Sequence, residues 1–262
     1  MRIFAAIIVA LMILRGSAHA AFNADELGKI SADPAPGAAL PMTLNFVDDS
    51  GQRTTLVRAL KGVAGIVIFA DYTCHTLCGP ILEFTAAGLA KSGLRPGADY
   101  RVIVIGLDPK DGLDAAHAMR AAHFGADDPI AQTAVFLTGT QDTVTAATAA
   151  LGYQYRYDAE HDQFAHPAAV YVTDANGKVA RVLSGLGLDG ADLRLALIDA
   201  SRGAIGTFAD HIRLLCYGYD PTRGIYTERI TFFLELAAGA TLLMLGGGIL
   251  ALLAAERRRA SS

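Results

Sequence analysis

Apolar and polar positions along the chain fall into short blocks whose period switches between two and about 3.6. Residues 42–47 and 54–57 flank the turn signal Asp48-Asp49-Ser50-Gly51, the pattern of a β-hairpin. Residues 65–70 carry the run Ile66-Val67-Ile68-Phe69, and residues 101–107 carry Val102-Ile103-Val104-Ile105. Runs this short and wholly apolar predict strands buried on both faces. A further strand is predicted over 134–137. A closing hairpin is predicted from 168–173 and 179–183 around Asn176-Gly177. Helical patterns fill 81–91, 114–124, 141–151 and 189–201. Strands alternating with helices imply crossovers over a central sheet covered on both faces, and the final hairpin makes that sheet mixed.

The two ends have a different pattern. Met1-Arg2, an apolar run over 3–14 and the ending Ala18-His19-Ala20 predict a signal peptide over 1–20, cleaved after Ala20; an uncleaved anchor is the alternative. Residues 236–255 hold no charge and reach the length of about 20 that a spanning helix needs. With Arg257, Arg258 and Arg259 beyond it, the positive-inside rule puts that end in the cytoplasm. The expected order is a linker over 21–40, a main domain over 41–203, a juxtamembrane segment over 204–229, a transmembrane helix over 230–255 and a tail over 256–262. The main domain is expected on the non-cytoplasmic, periplasmic side, held to the membrane by the C-terminal helix.

Composition narrows the function classes. Of 262 residues, 52% are hydrophobic and 18% charged, too apolar for disorder. A net charge of −4 argues against a nucleic-acid binder. A mean hydropathy of +0.34 is high for a soluble domain and fits membrane-type segments at the ends. Export makes ATP or NAD chemistry an unsuitable expectation and lets neighbouring cysteines oxidise.

The candidate chemistry centres on Cys74 and Cys78, three residues apart, on the turn between the strand 65–70 and the helix 81–91. A strand, a cysteine turn and a helix in that order is the layout of a thioredoxin-like fold. The unpaired N–H groups of the helix start stabilise a thiolate there. Such a pair closes a disulfide or holds a soft metal; two inert buried cysteines are the alternative. His166 precedes Pro167 and the strand 168–173, so the loop entering the last hairpin is expected across from the cysteine turn. Two thiolates and one imidazole suit Cu(I) and accept Cu(II). A surface or core histidine is the competing reading of His166. The other histidines carry less: His75 lies at the rim of the motif, His117 and His123 stand six apart on one helix, His161 reads as a loop residue, and His211 lies outside the α/β pattern. Gly185-Leu186-Gly187-Leu188-Asp189-Gly190 matches a dinucleotide fingerprint, but no second parallel strand follows, so it reads as a loop with a helix cap.

Phe69 through Pro80, Val104-Ile105-Gly106-Leu107-Asp108-Pro109, Leu137-Thr138-Gly139-Thr140, and His166 followed by Val170-Tyr171-Val172 together resemble the Sco/SenC family of membrane-tethered, thioredoxin-like cytochrome c oxidase assembly proteins. The resemblance covers about 40–201. It implies copper held by Cys74, Cys78 and His166, and delivery to the dinuclear copper centre in the copper-bearing subunit of the oxidase. It also implies a possible thiol–disulfide role, with another copper carrier or a thiol reductase as further partners. Asp108 matches the family's aspartate near the site. The chain departs from the pattern in Gly79 before Pro80, in His75-Thr76-Leu77 between the cysteines, and in a C-terminal rather than N-terminal tether. Cys216, in Leu215-Cys216-Tyr217-Gly218-Tyr219-Asp220-Pro221, is either an inert buried thiol or a further redox or copper contact.

The rival to a metallochaperone is an exported thiol–disulfide oxidoreductase acting through Cys74 and Cys78. Redox enzymes of this fold favour two residues between the cysteines, and such a role leaves His166 without a task. A peroxidase of the same fold would need threonine where Asp71 stands.

Overall fold

The structure is a computed structural model that describes residues 29–74, 76–125, 127–159, 162–186, 188–202, 217–220, 225–228 and 238–248. The strands are β1 (Ser31–Ala32), β2 (Asn45–Asp48), β3 (Arg53–Thr55), β4 (Ala64–Ala70), β5 (Tyr100–Gly106), β6 (Val135–Thr138), β7 (Tyr153–Gln154), β8 (Arg156–Asp158), β9 (Gln163–Ala165), β10 (Ala169–Thr173), β11 (Val179–Ser184), β12 (Tyr217–Asp220) and β13 (Ile225–Glu228). The helices are α1 (Leu56–Leu60), α2 (Cys78–Ser92), α3 (Leu113–His123), α4 (Pro129–Thr133), α5 (Gln141–Ala150) and α6 (Gly190–Ala200). A seven-stranded sheet runs in the order β11-β10-β4-β5-β6-β2-β3. Strands β4, β5 and β6 are parallel, while β10 and β2 join them antiparallel. This is the expected mixed sheet flanked by helices.

Side-chain parity explains why the central runs are apolar throughout. The even residues Ile66, Ile68, Val102, Val104, Val170 and Val172 pack in one cluster with Leu82 and Leu89 of α2, Met119 of α3 and Leu193 and Leu197 of α6. The odd residues Val67, Phe69, Ile103, Ile105 and Tyr171 pack in the other with Leu56 and Leu60 of α1 and Val144 of α5. Successive strand side chains point to opposite faces, so a strand covered on both sides has no position for a polar residue. Each large apolar side chain buried this way contributes about 1.5–3 kcal/mol.

Several elements depart from the periodicity. The second arm of the first hairpin ends at Thr55. Leu56 opens the short helix α1, which buries Leu56, Ala59 and Leu60 at helical spacing and stops at Lys61, in the left-handed region at φ 50°. Ser31–Ala32, within the stretch 21–40 expected as a linker, pairs with β7, and Leu40 is buried in the core. Segments this short carry no legible period. In the expected juxtamembrane segment, β12 and β13 pair as a hairpin. Among the described residues no helix is long and apolar enough to cross a membrane. Of the expected span 230–255, only 238–248 are described; they are helical, with Leu242, Leu243, Met244 and Leu245 exposed. The expected signal peptide 1–20 and the tail 256–262 lie outside the described residues.

The register of β10 places the site. Val170 pairs with Ile68 and Thr173 with Gly65, antiparallel. The start of β10 therefore lies beside the carboxyl end of β4, where the cysteine turn begins.

Candidate metal centre

The turn after β4 is built by Asp71. Its carboxylate accepts from the backbone N–H and the hydroxyl of Thr73, at 3.0 and 2.8 Å, and its carbonyl accepts from the Cys74 N–H at 3.1 Å. An aspartate bonded two residues ahead folds the chain into a tight turn by itself. Tyr72 anchors the turn below. Its hydroxyl reaches the carbonyls of Val104 and Leu137 at 3.0 and 2.9 Å, and its N–H donates to Asp111 at 3.0 Å. Burial pushes the Asp111 carboxyl up to about 6. Helix α2 begins at Cys78, which places that residue in the first turn of the helix.

His166 arrives from the other side. Strand β9 pairs with β8, and the Phe164 N–H donates to the Asp71 carboxylate at 3.1 Å. Two residues on, His166 turns its Nε2 to 2.9 Å from Cys78 Sγ. The sulfurs of Cys74 and Cys78 and a His166 nitrogen lie within 4.8 Å of one another, and all three residues are buried. Ligand atoms on one ion stand at most about twice a metal–ligand bond of roughly 2.0–2.3 Å apart. The three groups therefore fit around a single ion with little movement, and their two sulfurs and one imidazole suit copper. The three residues expected as ligands are thus brought together.

The two thiols differ sharply. Hydrogen bonding from Cys78 lowers the Cys74 pKa to about 2 against the cost of burial, with help from His166 and from Thr76. Thr76 supplies a hydroxyl at 3.3 Å and a backbone N–H at 3.5 Å. The same partnership with Cys74, together with burial, raises the Cys78 pKa. The opposed shifts favour a thiolate at Cys74 and a protonated thiol at Cys78, hydrogen-bonded to each other. An open groove of about 380 Å³ leads to the site past Ile30, Leu77, Phe164 and His166, and Leu77 is exposed at its edge.

Other candidates stand apart. Asp108 is buried and accepts from the Lys110 N–H at 2.8 Å, shaping the Asp-Pro turn outside the three-residue group. His117 contacts the carbonyl of Asp49. His123 bonds Glu83 at 2.9 Å and packs against Gly79, where a Cβ would run into its ring. That contact gives a steric reason for glycine directly after the second cysteine. Asp189 caps α6 by accepting from the Ala191 N–H, so the glycine-rich stretch ends in a helix cap. His75, His161, His211 and Cys216 lie outside the described residues.

Two supporting residues are not evident from the motif. Asp71 joins the cysteine turn to the strand before His166. Tyr153 of β7 places its hydroxyl 2.9 Å from His166 Nδ1 and 3.1 Å from the Pro167 carbonyl. The alternating aromatics Tyr153, Tyr155 and Tyr157 are the only sequence signal near Tyr153, and they point to a strand, not to a histidine.

Comparison with known proteins agrees with this fold. Similar solved structures include a protein of Aquifex aeolicus at 20% identity, with TM-score 0.57 over 64% of this chain and 95% of that one. A SCO1/SenC family lipoprotein of Bacillus anthracis matches at 21% identity, with TM-score 0.53 over 66% and 100% of the two chains. Arabidopsis thaliana ScoI, solved with copper bound, matches at 20% identity, with TM-score 0.51 over 64% and 99%. At these identities the likeness is one of fold. The comparison with curated proteins gave no match. The SCO1/SenC family model matches residues 33–193, a stretch that holds Cys74, Cys78 and His166. With more than half of its length matched, the chain belongs to the SCO1/SenC family.

Proposed function

We propose that the protein binds copper through Cys74, Cys78 and His166 and delivers it to the dinuclear copper centre of cytochrome c oxidase during assembly. The observation that carries this reading is the convergence of two sulfurs and one imidazole within 4.8 Å at the end of an open groove. Soft thiolates favour Cu(I), and the imidazole completes a set that also accepts Cu(II). A site built on one turn and one loop end, open to a groove, suits an ion that is taken up and passed on. In this reading the domain works outside the cytoplasm, anchored by the C-terminal apolar segment. The copper-bearing subunit receives the ion, and another copper carrier or a thiol reductase prepares the site.

One observation favours a second reading, thiol–disulfide exchange. The Thr76 hydroxyl and backbone N–H stand 3.3 and 3.5 Å from Cys74 Sγ and, with the hydrogen bond from Cys78, lower its pKa; thiolates attack disulfides. The Cys74 sulfur would bond to one sulfur of the partner's disulfide and release the other as thiolate. Cys78 would then displace the partner's remaining thiolate and close the Cys74–Cys78 bond. Exchange needs only the two sulfurs, whereas metal retention needs the third donor.

Metal analysis and a copper competition titration on the reduced purified domain, wild type beside His166→Ala, separate the two. The wild type is expected to hold about one copper per chain, and the oxidised form far less, because only thiolates ligate. His166→Ala is expected to lose affinity by about 10–100-fold or more while the rate of disulfide formation barely changes. Unchanged copper retention with failed exchange would hand the site to the oxidoreductase.

A further inference from the structure

We propose that a basic groove at the amino ends of β4 and β5, opposite the metal centre, is a membrane-docking site that seats the phosphate of an anionic lipid headgroup. The membrane source of that phosphate rests on the anchored reading above; the anion chemistry of the groove does not.

The groove has a volume of about 730 Å³ and lies between the edge strand β3, helix α1 and the start of β5. Arg53, Arg58, Lys61 and Arg101 line it, against one acid, Asp48. The Asp48 carboxylate is occupied in its own turn. Its Oδ1 accepts from the backbone N–H groups of Ser50 and Gln52 at 3.0 and 2.9 Å and from the Ser50 hydroxyl at 2.6 Å. Among the described residues, none of these cations forms an ion pair. Arg101 is part-buried. Its Nη1 donates to the Ala59 carbonyl at 3.3 Å, and its buried Nε has no partner. Burial lowers its pKa, with no carboxylate to offset the cost. A desolvated guanidinium without a counter-ion is unfavourable, and a bound anion relieves it. Guanidinium forks match phosphate oxygens, and Arg53, Arg58 and Arg101 each present one. The whole chain carries −4, so this concentration of positive charge is local.

Two features favour a lipid over a free anion. Val57, on α1 beside Arg58, is exposed and gives the groove an apolar shoulder that free phosphate would not use. The second is where the chain leaves the domain. Gly62 lines this groove and also a neighbouring one formed by Ala200, Ser201 and Arg202. The connection to the apolar segment 236–255 therefore departs from the same end of the sheet. That connection, 203–235, is long, and a long tether does not by itself fix which face of the domain meets the bilayer. A headgroup held in the groove fixes it. Strand β4 runs from this end to the cysteine turn over 7 residues, about 20 Å. Docking by the groove thus turns the metal centre away from the lipid.

The test uses the full chain in nanodiscs of phosphatidylcholine, with and without phosphatidylglycerol, read by amide hydrogen exchange over residues 53–62. Phosphatidylglycerol is expected to slow that exchange by about fivefold or more at low salt, and high salt should remove the effect. Arg101→Gln should lose the slowing, and so should Arg58→Gln combined with Lys61→Gln, both exposed side chains. Arg156→Gln combined with Lys178→Gln removes two exposed cations elsewhere and should keep it. No slowing by phosphatidylglycerol would overturn the proposal and leave the groove to an acidic protein surface. Equal loss in the Arg156/Lys178 control would reduce it to general charge. Equal slowing by inorganic phosphate in phosphatidylcholine discs would make it a free-anion site and overturn the membrane role. Insertion into the neutral discs reads the anchor separately. A chain that stays outside them sinks the anchored reading, while protection by the anionic discs still decides the groove.

Discussion

The carboxylate of Asp71 bonds both the hydroxyl of Thr73 in the cysteine turn and the backbone N–H of Phe164, 93 residues away, two positions before His166. One buried side chain therefore ties together the two halves of the metal site.

Replacing Asp71 by alanine would leave the part-buried N–H groups of Thr73 and Phe164 without their acceptor. A fully buried orphan costs about 1–3 kcal/mol, and water reaches these two in part. Asp71→Ala is expected to lower stability by about 1–3 kcal/mol in denaturant titration. Asp71→Asn, which keeps an acceptor oxygen, should lose less. In the folded Asn variant, copper affinity should still fall, because one amide oxygen cannot serve both halves as a carboxylate does. Wild-type affinity in Asp71→Asn would show that the β9 loop is positioned without this bond.

Gly79 is expected to be intolerant of a side chain for a reason outside its own helix. A Cβ there meets the His123 ring, which is bonded to Glu83 at 2.9 Å. The ring is the mobile end of a side chain, so the cost of Gly79→Ala should be near 1 kcal/mol, at the low end for overpacking. His123→Ala should remove that cost. A double-mutant cycle measures it, and strict additivity of the two changes would reject the contact.

The Cys74 thiol has a folded pKa lowered to about 2, from about 8.5 for a free cysteine. A depressed pKa means that the thiolate persists as pH falls, until the folded value is reached. Ultraviolet thiolate absorbance of the reduced Cys216→Ser protein, which retains only this pair, should therefore remain near one thiolate per chain from about pH 8 down to about pH 4. The raised Cys78 pKa means that a second thiolate should not appear in it until strongly alkaline pH. Cys74→Ser should abolish the acid-resistant signal. Two thiolates that both titrate near the free value would refute the asymmetry.

The expected membrane topology has a direct test in cells. A reporter active only outside the cytoplasm should be active when fused after Ser201 and silent after Ser262, given the arginines that close the chain. Activity at both fusion points would remove the C-terminal anchor.

Much of this protein is determined locally and is legible in the residue pattern. The runs Ile66–Phe69 and Val102–Ile105 have no polar position because their strands are covered on both faces, and that requirement is written into each residue. The cysteine pair is placed by its neighbours in the chain, at the end of one strand and the start of a helix. The Thr140 and Asp189 caps are likewise local. His166 was identifiable as a candidate because Pro167 and an apolar strand follow it. Its approach to 2.9 Å from Cys78 was decided by the tertiary structure. The antiparallel register of β10 against β4 joins residues about 100 positions apart, and no periodicity encodes a partner at that distance. The same holds for Tyr153 and Asp71, whose roles depend on which distant polar groups they meet when buried. It holds also for Ser31–Ala32, too short to carry a period, which becomes a strand only because β7 offers it an edge.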